Sequence, residues 1–387
     1  MERREEQPRI VTPAGGRPVA VTYFYVVLPR GALPPSGGRR SPARPVLPDP
    51  HQFSDEVLAF FRRAVSVGEQ PLPVERLPSS PLPVQWGPLE VWRFRLARGW
   101  EWDAVVVRAA FEGPEPGLEG LLRFNAEFRQ ALWAVLAEDL TVRPPGIAYC
   151  KVLSFAAVDA RQGEGWTRRL GPYTVADWFD AGRRFKRHPA TADMRENGAG
   201  SFLNPPPTDR VFHQWASTRY GFTPAGEFIL ALSHNGGVEV PQVTRPGNTL
   251  TWVGARYLPM VLLAEVQRQV LLQISELTGR NRRSRHFWHG FWRWLQGTSE
   301  FAHLFRQFRR GMWFYSLSRD IQDERLWLEA KASRRLDELF DRIQQQVLED
   351  DRDSLNQRLY VLAAVVLLAT LLGLPGVRAF LAARLGG

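Results

Sequence analysis

Apolar positions along the chain recur with two periods, and each predicts its own element. "VAVTYFYVVLP", Val19 to Pro29, is rich in β-branched and aromatic residues and reads as a strand. "LEVWRFRL" (Leu89 to Leu96) alternates, and "WDAVVVRAAF" (Trp102 to Phe111) resumes after "ARGWE", which predicts a hairpin. "GIAYCKVLSFAAV" and "EFILALSHN" (Glu227 to Asn235) are further strands, and "VEVPQV" and "TLTWVG" read as strands around a "HNGG" turn. Helical spacing appears in "SDEVLAFFRRAVS", with Ser54 as cap and Asp55 and Glu56 in the first turn. It returns at Leu121, Leu122, Phe124, Phe128, Leu132, Val135 and Leu136, one apolar face of a second helix. Between about 161 and 223 the text is polar and proline-broken, and few elements can be placed there. Interleaved strands and helices predict an α/β cytoplasmic domain over 19–255, after a flexible N-terminus at 1–18.

The remainder is helical in pattern. A helical region over 256–311 contains "YLPMVLLAEVQRQVLLQISELTG" and an Arg/aromatic-rich segment. From Met312 to Leu372 neither Gly nor Pro occurs over 61 residues. Within that run Leu336, Leu339, Phe340, Ile343, Val347 and Leu348 keep helical spacing. An all-α stalk is expected over 312–358, and a continuous helix of that run would reach about 90 Å at ~1.5 Å per residue.

From Leu359 to Val377 no residue is charged. A soluble core helix and a membrane span both fit such a run, and a span needs about 20 apolar residues. Gly373 to Gly376 would end the helix early. A long amphipathic helix that turns apolar all round suits a chain entering a bilayer, so 359–374 is expected to be a single C-terminal transmembrane helix. A short tail follows at 375–387. Its "RAFLAAR" carries Arg378 and Arg384 around an apolar centre, which suits an interfacial anchor or a frayed end.

Composition narrows the setting. Fifty Lys plus Arg against forty Asp plus Glu give +10, which suits either nucleic acid or an anionic membrane face. One cysteine, Cys150, excludes an intramolecular disulfide and a cysteine-built zinc site, and its apolar setting predicts a buried strand thiol. The charged opening "MERREEQPRIVTPAGGRP" lacks the apolar core of a signal peptide, so the bulk of the chain is expected on the cytoplasmic side of the cytoplasmic membrane.

"MWFYSLSRDIQ" (Met312 to Gln322), the long helix, and "NQRLYVL" (Asn356 to Leu362) leading into the apolar run together resemble the CorA-like divalent-cation transporter superfamily. The matching positions are Trp313, Phe314, Leu317, Ser318, Gln322, Asn356, Arg358 and Leu359, and the resemblance covers roughly 257–374. It implies a homo-oligomer, a pentamer in that family, with stalk helices lining a funnel and the first membrane helix of each copy lining a pore. A divalent cation such as magnesium is the implied cargo. The family also implies a Gly-Met-Asn signature and a second membrane helix, where this sequence reads "GLPGV" followed by eleven residues from Val377.

Candidate chemistry is sparse. In an oligomer, Glu349, Asp350, Asp351 and Asp353 would form rings of negative charge near a pore mouth, with Asn356 and Thr370 as further pore or stalk candidates, although a solvated helix face has the same composition. Arg280, Arg282, Arg283 and Arg285 beside Trp288 and Trp292 fit a lipid surface, single-stranded nucleic acid, or a helical hairpin with its aromatics inside. His286 and His289 lack a third ligand, and "RRFKRH" (Arg183 to His188) reads as a solvated loop. No phosphate-binding loop, nucleophile elbow or zincin pair occurs, so no enzyme is expected and no tightly bound cofactor. The leading expectation is a cation-permeable channel or gated pore. The alternatives are a membrane-tethered sensor or binding protein and a soluble nucleic-acid-binding protein.

Overall fold

The computed structural model describes residues 20–32, 44–45, 48, 53–70, 84–97, 100–111, 118–138, 150–159, 211–215, 218–223, 226–233, 249–283 and 300–373. The chain divides into two compact units, Met1–Val270 with Gly311–Asp337, and Leu271–Arg310 with Glu338–Gly387.

The first unit is built on a mixed sheet. Its strands are β1 (Ala20–Pro29), β2 (Arg44–Pro45), β3 (Val65–Gln70), β4 (Val84–Ala97), β5 (Trp100–Phe111), β6 (Lys151–Asp159), β7 (Val211–Trp215), β8 (Thr218–Thr223) and β9 (Gly226–Ser233). They lie in the order β2-β3-β4-β5-β1-β6-β9-β8-β7, with β6 and β9 parallel and the other pairs antiparallel. The parallel pair needs its glycine, because a β-carbon on Gly226 would lie 2.1 Å from the Val152 carbonyl oxygen.

β1 is central and buried on both faces, which is why its apolar run does not alternate. Its even positions, Phe24, Val26 and Leu28, pack in one core with Leu121, Phe124, Phe128, Leu132 and Leu136 of the 21-residue helix α2 (Leu118–Glu138). On the other face lie α1 (Asp55–Ala64), where Phe61 meets Phe94, and part of α3 (Thr249–Arg283), whose Leu258 to Gln267 are buried almost without exception. Ser54 precedes α1 in extended backbone and its carbonyl accepts the Leu58 amide at 2.9 Å, but its side chain makes no cap bond.

Three expectations are corrected. The tail of "SDEVLAFFRRAVS" leaves the helix at Ala64, and Val65 begins β3, paired with β4 from Val65↔Phe94 onward. "TLTWVG" is the start of α3 rather than a strand, its β-branched propensity overridden by the helix it joins. The stalk expected over 312–358 is not one helix. Residues 312–320 are non-helical, α5 spans Ile321–Ser333, and α6 spans Leu336–Gly373. The non-helical stretch is satisfied elsewhere: the Glu324 carboxylate accepts the Leu317 and Ser318 amides at 2.8 and 3.1 Å, and Leu317 O accepts the Ser54 amide at 3.0 Å.

In the second unit, α4 (Glu300–Gly311) buries Ala302, Leu304, Phe305 and Phe308, and Phe305 meets Phe340 of α6 with ring centroids 5.1 Å apart. α6 buries Phe340, Ile343 and Val347 and exposes large apolar side chains beyond them. Among the described residues no helix is long and apolar enough to cross a membrane. The uncharged part of α6, 359–373, is 15 residues, or about 22 Å at ~1.5 Å per residue. The expected 375–387 tail lies outside the described residues, as do 1–18, "VEVPQV" and "HNGG".

Candidate functional site

Charged residues inside apolar strands and helices converge at one place in the first unit. Tyr25 of β1 and Lys151 of β6 face each other directly in the antiparallel register. Glu227 is carried by β9, Glu265 by α3, and Arg334 by the two-residue turn between α5 and α6. All are buried.

The connections are dense. Lys151 Nζ donates to Glu265 Oε2, Arg334 Nη2 donates to Glu227 Oε1, and Arg334 Nε donates to Glu265 Oε2 at 3.2 Å. The Tyr25 hydroxyl donates to Glu227 Oε2 at 2.8 Å and accepts from Arg334 Nη2 at 2.9 Å. Gln269 donates to the second Glu265 oxygen at 3.0 Å, and Arg268 approaches it at 3.5 Å. Lys151 and Arg334 thus balance Glu227 and Glu265, two charges against two, which is how such groups tolerate removal from water.

The electrostatics follow from crowding. Burial would raise the Glu265 carboxyl, but Lys151, Arg268 and Arg334 together outweigh it and hold the group down at about 2. Burial lowers Lys151 to about 8 against the attraction of Glu265, and Arg334 and Arg268 push the same way as burial. Burial also opposes the Arg334 charge, yet Glu227, Tyr25 and Glu265 together raise its pKa. The Tyr25 phenol is pushed well up, first by burial and then by Glu227. Neither carboxylate nor the lysine is open to solvent, so the cluster is built to fix elements against one another rather than to meet a dissolved substrate.

Cys150 lies just before Lys151, is buried as expected, and has its thiol pushed up to about 12 by burial. That is the opposite of nucleophile activation.

The acids expected to line a pore are carried by α6. Glu349 is exposed on α6, and Asp351 Oδ2 accepts from Arg306 of α4 at 3.0 Å. Asn356 is exposed, and the Thr370 hydroxyl donates back to the Val366 carbonyl at 2.8 Å. Asp350 and Asp353 lie on the same helix, but their side chains fall outside the described set. Arg280, Arg282 and Arg283 are carried by the end of α3, their side chains likewise outside it, while Arg285, His286, Trp288, His289, Trp292 and the 183–188 cluster lie outside the described residues. Among the described residues no three His, Cys, Asp or Glu side chains group to hold a metal ion.

Of the positions that carry the family resemblance, Trp313, Phe314, Leu317 and Ser318 are buried. Phe314 meets Phe60 of α1 at 5.4 Å, and the Lys331 ammonium lies 4.4 Å from the Trp313 ring centroid. They anchor the 312–320 stretch to the sheet unit. Comparison of the chain with family models, curated proteins and solved structures gave no match.

Proposed function

We propose that the chain acts as a membrane-anchored homo-oligomer of CorA-like kind, with passage of a cation as its activity. The surface of α6 carries this reading. Leu348, Leu355, Leu359, Tyr360, Leu362, Val366 and Leu367 are 57 to 76% exposed. Fully burying a Leu or Val side chain gains roughly 1.5–3 kcal/mol, so such a surface calls for a partner outside the single chain. From Leu348 the positions Leu355 and Leu362 follow at intervals of seven, and Leu359 and Val366 repeat the interval beside them. That is the seam of a coiled coil, and lipid alone imposes no such period. The uncharged composition beyond Leu359 adds the bilayer as the setting for its far end. In such an assembly copies of Glu349 would ring the axis with negative charge, and Asp351 is engaged by Arg306 of its own chain.

The second reading, a tethered sensor or binding protein, is favoured by the same helix, whose ~22 Å uncharged part falls short of the ~30 Å hydrocarbon layer. Reconstitution of the purified full chain into liposomes loaded with a magnesium-sensitive dye separates the two. Permeation predicts a dye response that slows several-fold in Glu349→Gln. An unchanged dye with the oligomer intact rejects permeation and leaves the tether.

A further inference from the structure

On the face of the sheet that carries Tyr25, two residues back along β1, Tyr23 stands opposite Arg108 of β5 in the antiparallel register. A charge set into such a face calls for an opposite charge or a full set of acceptors, and the cluster around Tyr25 meets that demand within the chain. Arg108 does not. Its Nε–H is shut off from water without an acceptor, and no carboxylate among the described residues forms an ion pair with it. The Glu90 carboxylate, whose charge is felt at Tyr23, accepts the Trp92 indole N–H at 2.8 Å instead.

The backbone opposite Arg108 is shaped around it. β4 pairs Trp86 with Ala109 and Leu89 with Val107, so Gly87 and Pro88 together face Arg108 alone, which makes a β-bulge. A β-carbon on Gly87 would lie 3.1 Å from both Cβ and Nε of Arg108, closer than ordinary contact, so a glycine lets the arginine lie against bare backbone. Tyr23 is buried beside it, its phenol pushed up by burial against the pull of the Arg108 charge. Arg108 itself is half-buried, and Nη1 and Nη2 are not closed off as Nε is. The paired terminal N–H groups of a planar, permanently charged guanidinium match two oxygens of a phosphate or a carboxylate.

We propose that Arg108, seated in the β4 bulge beside Tyr23, anchors a binding site for a small oxyanion, phosphate or carboxylate in class, taken from solution. This ligand supplies the acceptor that the arginine lacks within the chain. The site uses only β1, β4 and β5, so it stands or falls independently of the reading of α6.

Titration calorimetry on the full chain tests it, with sodium phosphate or sodium acetate added at an ionic strength held constant by chloride. Saturable binding at a single site per chain is expected for at least one of the two anions, and the tighter of them names the class. Arg108→Gln keeps most of the side chain's length and removes its charge, so the saturable heat should vanish. Arg108→Lys keeps the charge without the planar fork and should weaken binding about tenfold. Neither change breaks an ion pair among the described residues, so the thermal midpoint without added anion should hold in both. No saturable heat from either anion would overturn the site, and so would heat that survives Arg108→Gln unchanged. If Arg108→Gln does not fold, Arg108→Lys decides, since an affinity equal to that of the unaltered chain would mean that the anion binds elsewhere.

Discussion

On the side of the sheet toward α2, Phe24 meets Phe128 at 4.7 Å and Phe124 at 6.1 Å, and Trp86 stacks on Phe128 at 4.5 Å. Its buried polar residues include a small trio, with Ser154 Oγ 3.0 Å from Thr22 Oγ1 and accepting from Asn125 at 3.1 Å. One residue along β1, on the opposite side, Tyr25 enters the cluster of Lys151, Glu227, Glu265 and Arg334. The apolar face gains from area and is indifferent to exact partners, so its contributions are spread over many side chains. The charged face is directional, and removing one member leaves another buried and unpaired. The first face supplies stability; the second fixes which helix and which turn lie against which strand.

Breaking each face should expose that difference. Arg334→Ala strands Glu227 and Glu265 together, and urea unfolding of the full chain should show a loss of about 3–5 kcal/mol. A loss no larger than that of an exposed ion pair would mean the cluster is wet and loosely held. Leu132→Ala, on the α2 face, should cost about 2–3 kcal/mol by cavity formation, with no dependence on pH between 5 and 9.

The pH response sharpens the contrast. Glu265 is held at about 2 against an ordinary 4.5, so its contribution is complete above pH 4.5 and is lost as pH falls toward 2. Lys151 gives a slope of the same sign in a second window: between its value of about 8 and the ordinary 10.5 the unfolded chain binds more protons, so stability rises with pH there too. Unfolding midpoints across pH should follow both slopes, and Glu265→Gln should flatten the acid one. The smallest effect belongs to Asp55→Asn, which should change stability by less than about 1 kcal/mol, because Arg319 and Asp55 are 59% and 84% exposed.

The apolar face was legible in the sequence and the charged face was not. Phe124, Phe128 and Leu132 declare themselves by helical spacing, and β1, β4, β5, β6 and β9 by runs of β-branched and aromatic residues. β7 and β8 lie in polar text without a clean period, and β3 hides behind the end of α1. Members of the cluster come from separate elements, Tyr25 and Arg334 being 309 residues apart, so no local motif links them. A signal did exist, since "AYCKVLSF", "GEFILAL" and "VLLAEVQ" each place one charge inside an apolar run. A lone charge there must find a buried partner. The break at Arg334 and Arg335 has no such signal, because residues distant in sequence impose it.

The claim that α6 is completed by copies of itself is decided by the protein mass of the full chain solubilised in mild detergent, read by light scattering during chromatography. A whole-number multiple of 44.1 kDa is expected, five copies if the resemblance holds, falling to one copy when Leu355 and Leu362 are changed together to Asn. A single-chain mass for the unaltered protein across a hundredfold range of concentration would contradict it.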